Sequence, residues 1–235
     1  MLRRIHTEKL HAGNVALTPE QAHHLRKVLR LADGELVEIF DDQGQVGTGV
    51  LRFHGSVDAS VDVETVTTPA PKAFSLTIAA AIPKGERADW MIEKLSELGV
   101  DAFVPLAAAR SVVLPEGRNK HERWGRIATE SAKQSRRMGT MRIEKLTPVD
   151  LAIKQVHGAG WVCSTRGDAI PFDQAVQNRP LEVTLFIGPE GGWLDEELAA
   201  FADAGICSVR LTQTVLRVET AAIAAAAMIL MSRPG

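Results

Sequence analysis

The sequence predicts an α/β chain of two domains, a small β-rich barrel over residues 1–70 and a parallel-sheet domain over residues 73–235. Three observations predict it. The first 70 residues carry strand-like runs around one strong helix start. The segment Thr67-Thr68-Pro69-Ala70-Pro71-Lys72 then sets two prolines close together, which resists helix and sheet alike and marks a linker. Beyond it, strand-like and helix-like segments alternate, the pattern of a parallel sheet with helices on its faces.

In the first domain, Thr18-Pro19-Glu20-Gln21 opens a helix. Thr18 can cap, Pro19 suits the first helical position, and Gln21 stands where a capping-box partner belongs. The helix is expected to run to about Leu31, with Ala22, Leu25, Val28 and Leu29 facing inward. Strands are expected at Glu35–Phe40, Val46–Phe53 and Ser60–Val66, the first two joined by the turn Asp41-Asp42-Gln43-Gly44.

In the second domain, strands are expected at Ser75–Ala81, Ala102–Leu106, Gly160–Ser164, Val183–Ile187 and Ser208–Leu211. Helices are expected at Arg87–Leu98, stopped by Gly99, then Lys120–Arg137, Pro148–Val156, Asp195–Ala204, stopped by Gly205, and Glu219–Met231. The last helix is rich in alanine, so a strand or a second subunit can approach it closely.

Composition excludes several classes. Hydrophobic residues at 45% and charged residues at 24% argue against disorder. The longest apolar stretch, Thr220–Met231, is too short for a membrane span, and no signal-peptide core follows Arg3 and Arg4, so a soluble cytoplasmic protein is expected. Cys163 and Cys207 lack zinc-site spacing and read as two small buried apolar residues; no metal is expected. His23 and His24 are adjacent and cannot share a metal at helical i, i+4 spacing, and neither a Ser–His–Asp set nor paired carboxylates emerge. The net charge of -2 conceals an asymmetry: residues 1–30 hold six Lys/Arg against two Glu, and residues 110–145 hold ten against four. Basic stretches are commonly solvated faces, but two of them on an acidic chain raise the case for a polyanionic partner.

Two loops carry the chemistry. Ile187-Gly188-Pro189-Glu190-Gly191-Gly192 leaves a strand and precedes a helix, at the end of a parallel sheet where ligands bind. It is neither a GxGxxG fingerprint nor a P-loop, which disfavours phosphate cradling. Leu211-Thr212-Gln213-Thr214-Val215-Leu216-Arg217-Val218-Glu219-Thr220-Ala221 again links a strand to a helix, with Glu219 and Thr220 in the first turn. Singly, the first loop is also readable as an ordinary tight turn, and the second as simple capping, although Arg217-Val218-Glu219-Thr220 is more than a turn requires. Pro83-Lys84-Gly85-Glu86-Arg87 and Lys133-Gln134-Ser135-Arg136-Arg137 add cations at a strand end and a helix end.

Taken in order, His23-His24-Leu25, Val28-Leu29-Arg30-Leu31, Pro83-Lys84-Gly85, Arg87, Trp90, Lys94, Glu97-Leu98-Gly99-Val100, Gln134-Ser135, Arg137 and the two strand-end loops span nearly the whole chain. With these blocks the sequence resembles the bacterial small-subunit (16S) ribosomal RNA uridine N3-methyltransferases of the SPOUT superfamily. The resemblance implies an N-terminal PUA-like barrel, a C-terminal α/β domain tied in a trefoil knot, S-adenosylmethionine as cofactor and a homodimer acting on ribosomal RNA or the 30S subunit. It also implies a cofactor pocket of Ile187, Gly188, Glu190, Gly191, Gly192, Leu211, Leu216, Glu219, Thr220 and Ala221, with Ser164 and Thr165 as a further wall. The chain departs from the family at Thr212, where Gly is usual, at Thr214, at Val218, and at Leu194, where a capping Ser is usual. Methylating uridine N3 requires an unpaired base and loss of the N3 proton, so Arg217 and Arg137 are candidates for positioning the substrate and stabilising its charge. Arg3, Arg4, His23, Arg26, Arg30, Lys84 and Arg137 are the candidates for gripping RNA. Two other readings stay open: a knotted methyltransferase acting on a ribose 2′-hydroxyl or on transfer RNA, and a non-catalytic RNA-binding assembly factor.

Overall fold

A computed structural model describes residues 2–70, 72–114 and 118–232 of the chain. By contact it divides into two compact units: Met1–Pro71 with Ala132–Thr140, and Lys72–Ser131 with Met141–Gly235. Of the expected linker, Pro71 lies outside the described residues.

The first unit contains β1 (Arg3–His6), β2 (Gly13–Ala16), α1 (Pro19–His23), β3 (Leu36–Phe40), β4 (Val46–His54) and β5 (Asp58–Thr67). The sheet order is β1-β3-β4-β5-β2, with β1 parallel to β3 and the remaining pairs antiparallel. One core fills it, including Ile5, Leu25, Val37, Ile39, Leu51 and Val61. The short strands β1 and β2 add to the three that the sequence predicts; four residues each, they are too brief for alternation to stand out.

Thr18 and Gln21 form the expected capping box at the start of α1. The helix is a correction further on. It passes at His24–Val28 into a π-helical turn, with the Leu29 N–H donating to the His24 carbonyl at 3.0 Å, and Arg30 adopts φ 55° beyond it. The wide turn shifts the helical phase, so Leu25 stays buried while Val28, expected inward, is 61% exposed. Residues 132–140 belong to this unit, and Thr140 Oγ1 donates to Asp42 Oδ1 at 2.6 Å. The His6 hydrogen bond, with help from Thr140, holds the Asp42 carboxyl below the usual carboxylate range against the opposing effect of burial.

The second unit contains β6 (Ser75–Ala80), α2 (Arg87–Leu98), β7 (Ala102–Ala107), α3 (Arg118–Ser135, its last turn in the first unit), β8 (Arg142–Ile143), β9 (Thr147–Pro148), α4 (Val149–Lys154), β10 (Ala159–Cys163), β11 (Ile170–Pro171), α5 (Phe172–Gln177), β12 (Glu182–Ile187), α6 (Asp195–Asp203), β13 (Cys207–Arg210) and α7 (Val218–Met231). The sheet runs β11-β13-β10-β12-β6-β7-β8, with β9 also on β7, and its pairs are parallel. Period-two alternation divides its side chains. Leu76, Ile78, Leu185 and Ile187 join a core with α2, α3, α5 and α7, while Ala79, Val162 and Phe186 pack with α4 and α6 on the other face. Three of the alanines of α7, Ala222, Ala225 and Ala226, are fully buried. The helix α5 and the two-residue strands are additions to the sequence reading.

The order places β12 between β10 and β6, although β7 and β8 come between them in sequence. The loops after β10, β12 and β13 therefore leave adjacent strands at their carboxyl ends, where a parallel sheet opens a crevice.

Candidate active site

A cavity of about 560 Å³ lies among those three loops. Its walls include Ser164 and Thr165 after β10, and Ile187, Gly188, Glu190, Gly191 and Gly192 after β12. Leu211, Leu216 and Ala221, from the segment joining β13 to α7, complete the expected residues around it.

The loop after β12 is shaped by close contact. A Cβ at Gly188 would lie 2.8 Å from the Trp193 ring, so only glycine lets the backbone settle there. Trp193 is buried, packs edge-on against Phe201 at 5.0 Å between centroids, and donates its Nε1–H to the Cys163 carbonyl at 3.0 Å. Gly192 takes φ 71° and donates to the Pro189 carbonyl at 2.8 Å, which closes the turn. Arg110 holds it from outside, Nη1 donating to the Gly191 carbonyl at 2.8 Å. Leu194, at the N-cap of α6, makes no side-chain cap bond, but Glu197 Oε2 accepts from its N–H at 2.8 Å while Oε1 accepts from the Ala109 N–H at 2.9 Å. Ser164, nearly buried, accepts from the Arg166 N–H at 3.2 Å. Cys163 lines the floor, and burial pushes its thiol up to about 12, so it is uncharged at neutral pH.

The segment after β13 has a different character. Thr212 Oγ1 donates to the Thr214 carbonyl at 2.6 Å, and Val215 is 81% exposed. Arg217 caps α7 from an extended conformation, and its carbonyl accepts from the Ala221 N–H at 2.8 Å.

A second cavity, of about 630 Å³, shares the strip Val215–Arg217 with the first. The other residues around it are Glu86, Arg87, Trp90, Glu219 and Thr220. Arg87 Nη1 lies 3.3 Å from Glu219 Oε1, and Arg87 Nη2 lies 3.9 Å from Glu190. Glu219 and Thr220, grouped by the sequence reading with the first cavity, thus face the second. Arg217 lines both.

The remaining expected residues scatter. Arg3, His23 and Arg30 are exposed on the first unit, and Lys84 is exposed on the second. Arg26 sits over the Phe53 ring at 4.3 Å and donates to the carbonyls of Gly55 and Ser56. Arg4 pairs with Glu38 at 2.7 Å, stacks on Phe40 and donates to the Arg137 carbonyl at 2.7 Å. Desolvation lowers its pKa against the pull of Glu38, so its polar atoms serve the fold of the unit. Arg137 is half-buried in the segment that belongs to the first unit and is not among the residues around either cavity.

Arg110, Arg166 and Trp193 around the first cavity, and Glu86, Arg87 and Trp90 around the second, are additions to the site residues that the sequence predicts. Arg110 had a readable signal: it follows the end of β7, another strand of the same sheet. Among the described residues no cluster of His, Cys, Asp or Glu could hold a metal ion, and no helix is long and apolar enough to cross a membrane.

This architecture is that of an RNA-modifying enzyme class: the RNA methyltransferase domain family matches residues 70–230, and the RNA methyltransferase PUA domain matches residues 17–52. The chain is 33% identical over 229 residues to the ribosomal RNA small subunit methyltransferase E of Synechocystis, covering 94% of this chain and 74% of that one. It is 29% identical to the Bacillus subtilis protein of the same name, covering 89% and 87%. The solved ribosomal RNA small subunit methyltransferase E of Neisseria gonorrhoeae, bound to S-adenosylmethionine, superposes with a TM-score of 0.87 at 25% identity and 98% coverage of both chains. The chain belongs to the ribosomal RNA small subunit methyltransferase E family. The expected fold class, a PUA-like N-terminal domain before a SPOUT α/β methyltransferase domain, is borne out.

Proposed function

We propose that this chain transfers the methyl group of S-adenosylmethionine to N3 of a uridine in small-subunit (16S) ribosomal RNA. The observation that carries the reading is the 560 Å³ cavity at the ends of β10, β12 and β13, in a chain of this family. The residues present suit the cofactor. The volume is that of a small-molecule site. Ile187, Leu211, Leu216 and Ala221 offer apolar walls for an adenine ring, while Arg110, Arg166 and Glu190 offer charge for an amino-acid tail. When bound, S-adenosylmethionine supplies an electrophilic methyl group on sulfur.

The chain's own work is orientation and charge. Direct displacement demands that the attacking nitrogen be held in line, which favours braced loops over mobile ones. Arg217, exposed and lining both cavities, stabilises the charge that spreads over the uracil carbonyls as N3 loses its proton. Arg137, at the end of the basic helix, helps position the RNA. Arg3, His23, Arg30 and Lys84 supply further RNA contacts from exposed positions, whereas Arg4 and Arg26 have internal duties first. The same reading has the protein act in the cytoplasm as a homodimer, with the exposed Met228 and Met231 of α7 at the contact face. Its RNA is presented free or within the 30S subunit.

The test incubates the purified protein with labelled S-adenosylmethionine and either 16S RNA or 30S subunits lacking the modification, followed by nucleoside mass spectrometry. 3-Methyluridine is the expected product. A 2′-O-methylated nucleoside, or modification of transfer RNA alone, would replace the reading with a related methyltransferase. No binding of S-adenosylmethionine by calorimetry would replace it with an assembly factor. Light scattering at a dimer mass is expected; a monomer would remove the homodimer.

A further inference from the structure

The second cavity, which shares only the strip Val215–Arg217 with the first, contains the most unusual carboxylate in the described structure. Glu219 is 4% exposed. Its Oε1 accepts from Arg87, but its buried Oε2 accepts no hydrogen bond from any described residue. A buried anionic oxygen without a donor is costly, and a catalytic role is one of the reasons a protein keeps one. Around it stand the indole of Trp90, 48% exposed, and the strip Val215–Arg217 that also bounds the first cavity. Arg87 covers the carboxylate but is not locked there, since its side chain is 37% exposed and already reaches toward Glu190.

We propose that this 630 Å³ cavity receives the flipped-out uracil, with its N3–H donated to Glu219 Oε2 and its ring face against Trp90. The proposal rests on the methyltransferase reading above. Arg87 swings from Glu219 toward Glu190 to admit the base. Glu219 Oε2 then takes the N3 proton. The freed nitrogen pair forms the bond to the methyl carbon as that carbon's bond to sulfur breaks, and the proton passes from Glu219 to water. Uracil is selected because N3 bears a hydrogen between two carbonyls; cytosine presents a lone pair at N3, which the carboxylate repels. The charged groups facing this step are Arg87 and Glu86 from the start of α2, Glu190 from the loop after β12, and Arg217 at the cap of α7. This division of labour explains why Glu219 and Thr220 lie outside the first cavity while Ala221 lies on it.

The test uses the full chain and the variants Glu219→Gln, Glu219→Asp and Trp90→Ala. Without S-adenosylmethionine, saturation-transfer NMR of the wild-type protein should detect uridine monophosphate but not 3-methyluridine or cytidine monophosphate; E219Q should lose that preference, and W90A should weaken binding. With labelled S-adenosylmethionine and 30S subunits, E219Q should be roughly 10²–10⁴-fold slower, the usual worth of a proton acceptor. Its affinity for S-adenosylmethionine should be unchanged, and its residual rate should climb with pH as the base ionises unaided. E219D should retain part of the rate. Three outcomes would each overturn the proposal: E219Q at the wild-type rate, an E219Q defect matched by lost cofactor affinity, or equal binding of uridine and 3-methyluridine monophosphates by the wild type. The nucleotide comparison on the wild type decides the matter should E219Q fail to fold. Wild-type protein that binds S-adenosylmethionine and makes no 3-methyluridine refutes the underlying methyltransferase reading instead.

Discussion

The loop over residues 188–192 is tied from outside: Trp193 to the Cys163 carbonyl, Arg110 to the Gly191 carbonyl, and Glu197 to the Leu194 and Ala109 amides. The loop over residues 211–217 faces it across the same cavity with a bond inside itself, from Thr212 to Thr214, and with Val215 in solvent. The first loop takes its shape from the folded core, so it stands ready before any ligand arrives. The second is held at Leu211 and Leu216 against the core and is exposed between them, and it is the one that separates the two cavities. Preorganisation on one side and compliance on the other suit a site that must hold a small cofactor firmly and still admit a nucleotide.

The sharpest way to break this contrast is Trp193→Ala. It removes the indole packed on Phe201 and beneath Gly188, together with the hydrogen bond to Cys163. A loss of about 3–5 kcal/mol is expected from truncating a buried tryptophan, measured by urea unfolding. S-Adenosylmethionine binding by calorimetry should fall with it. Retained affinity would mean that the first loop does not need its outside support.

Gly188→Ala is the subtler version. The new methyl group meets the indole at 2.8 Å, and both partners belong to packed structure. Overpacking of this kind costs about 1–3 kcal/mol, read as a fall in the urea midpoint. The double variant G188A/W193A should cost less than the sum of the two, since the clash disappears with the ring. Simple additivity would show that Gly188 is required for some reason other than Trp193.

Much of this was readable from the chain. The strand–helix alternation and the strand-end positions of Gly188–Gly192 and Leu211–Ala221 follow from period and punctuation, which are local properties. The division of that second segment between two cavities was not readable. Leu216, Glu219 and Ala221 follow one another closely, and only the path of α7 against the sheet decides which of them faces which space. The strand-end position of Arg110 was readable, but not its partner, since Gly191 lies far away in sequence. The basic residues of the first unit mislead in the other direction: a count of charge cannot show that Arg4 is spent on Glu38 and Phe40, or that a π-helical turn rolls Val28 outward. Local chemistry marks where a loop is, whereas tertiary contacts decide what each side chain is free to do.

Thr212→Val tests the compliant side and should have the smallest effect. The Thr212 hydroxyl bonds the Thr214 carbonyl within an exposed stretch. Valine keeps the branched shape and removes that bond. Water can satisfy the carbonyl that is left, so the folded state loses little, within about 0.5 kcal/mol. Affinity for S-adenosylmethionine should change by no more than roughly twofold, which is what that energy amounts to. If T212V instead matches G188A in its effect on cofactor binding, the Thr212–Thr214 bond is what shapes the second loop. The two walls would then be equally rigid, and the uracil would have to enter without any yielding of Val215–Arg217.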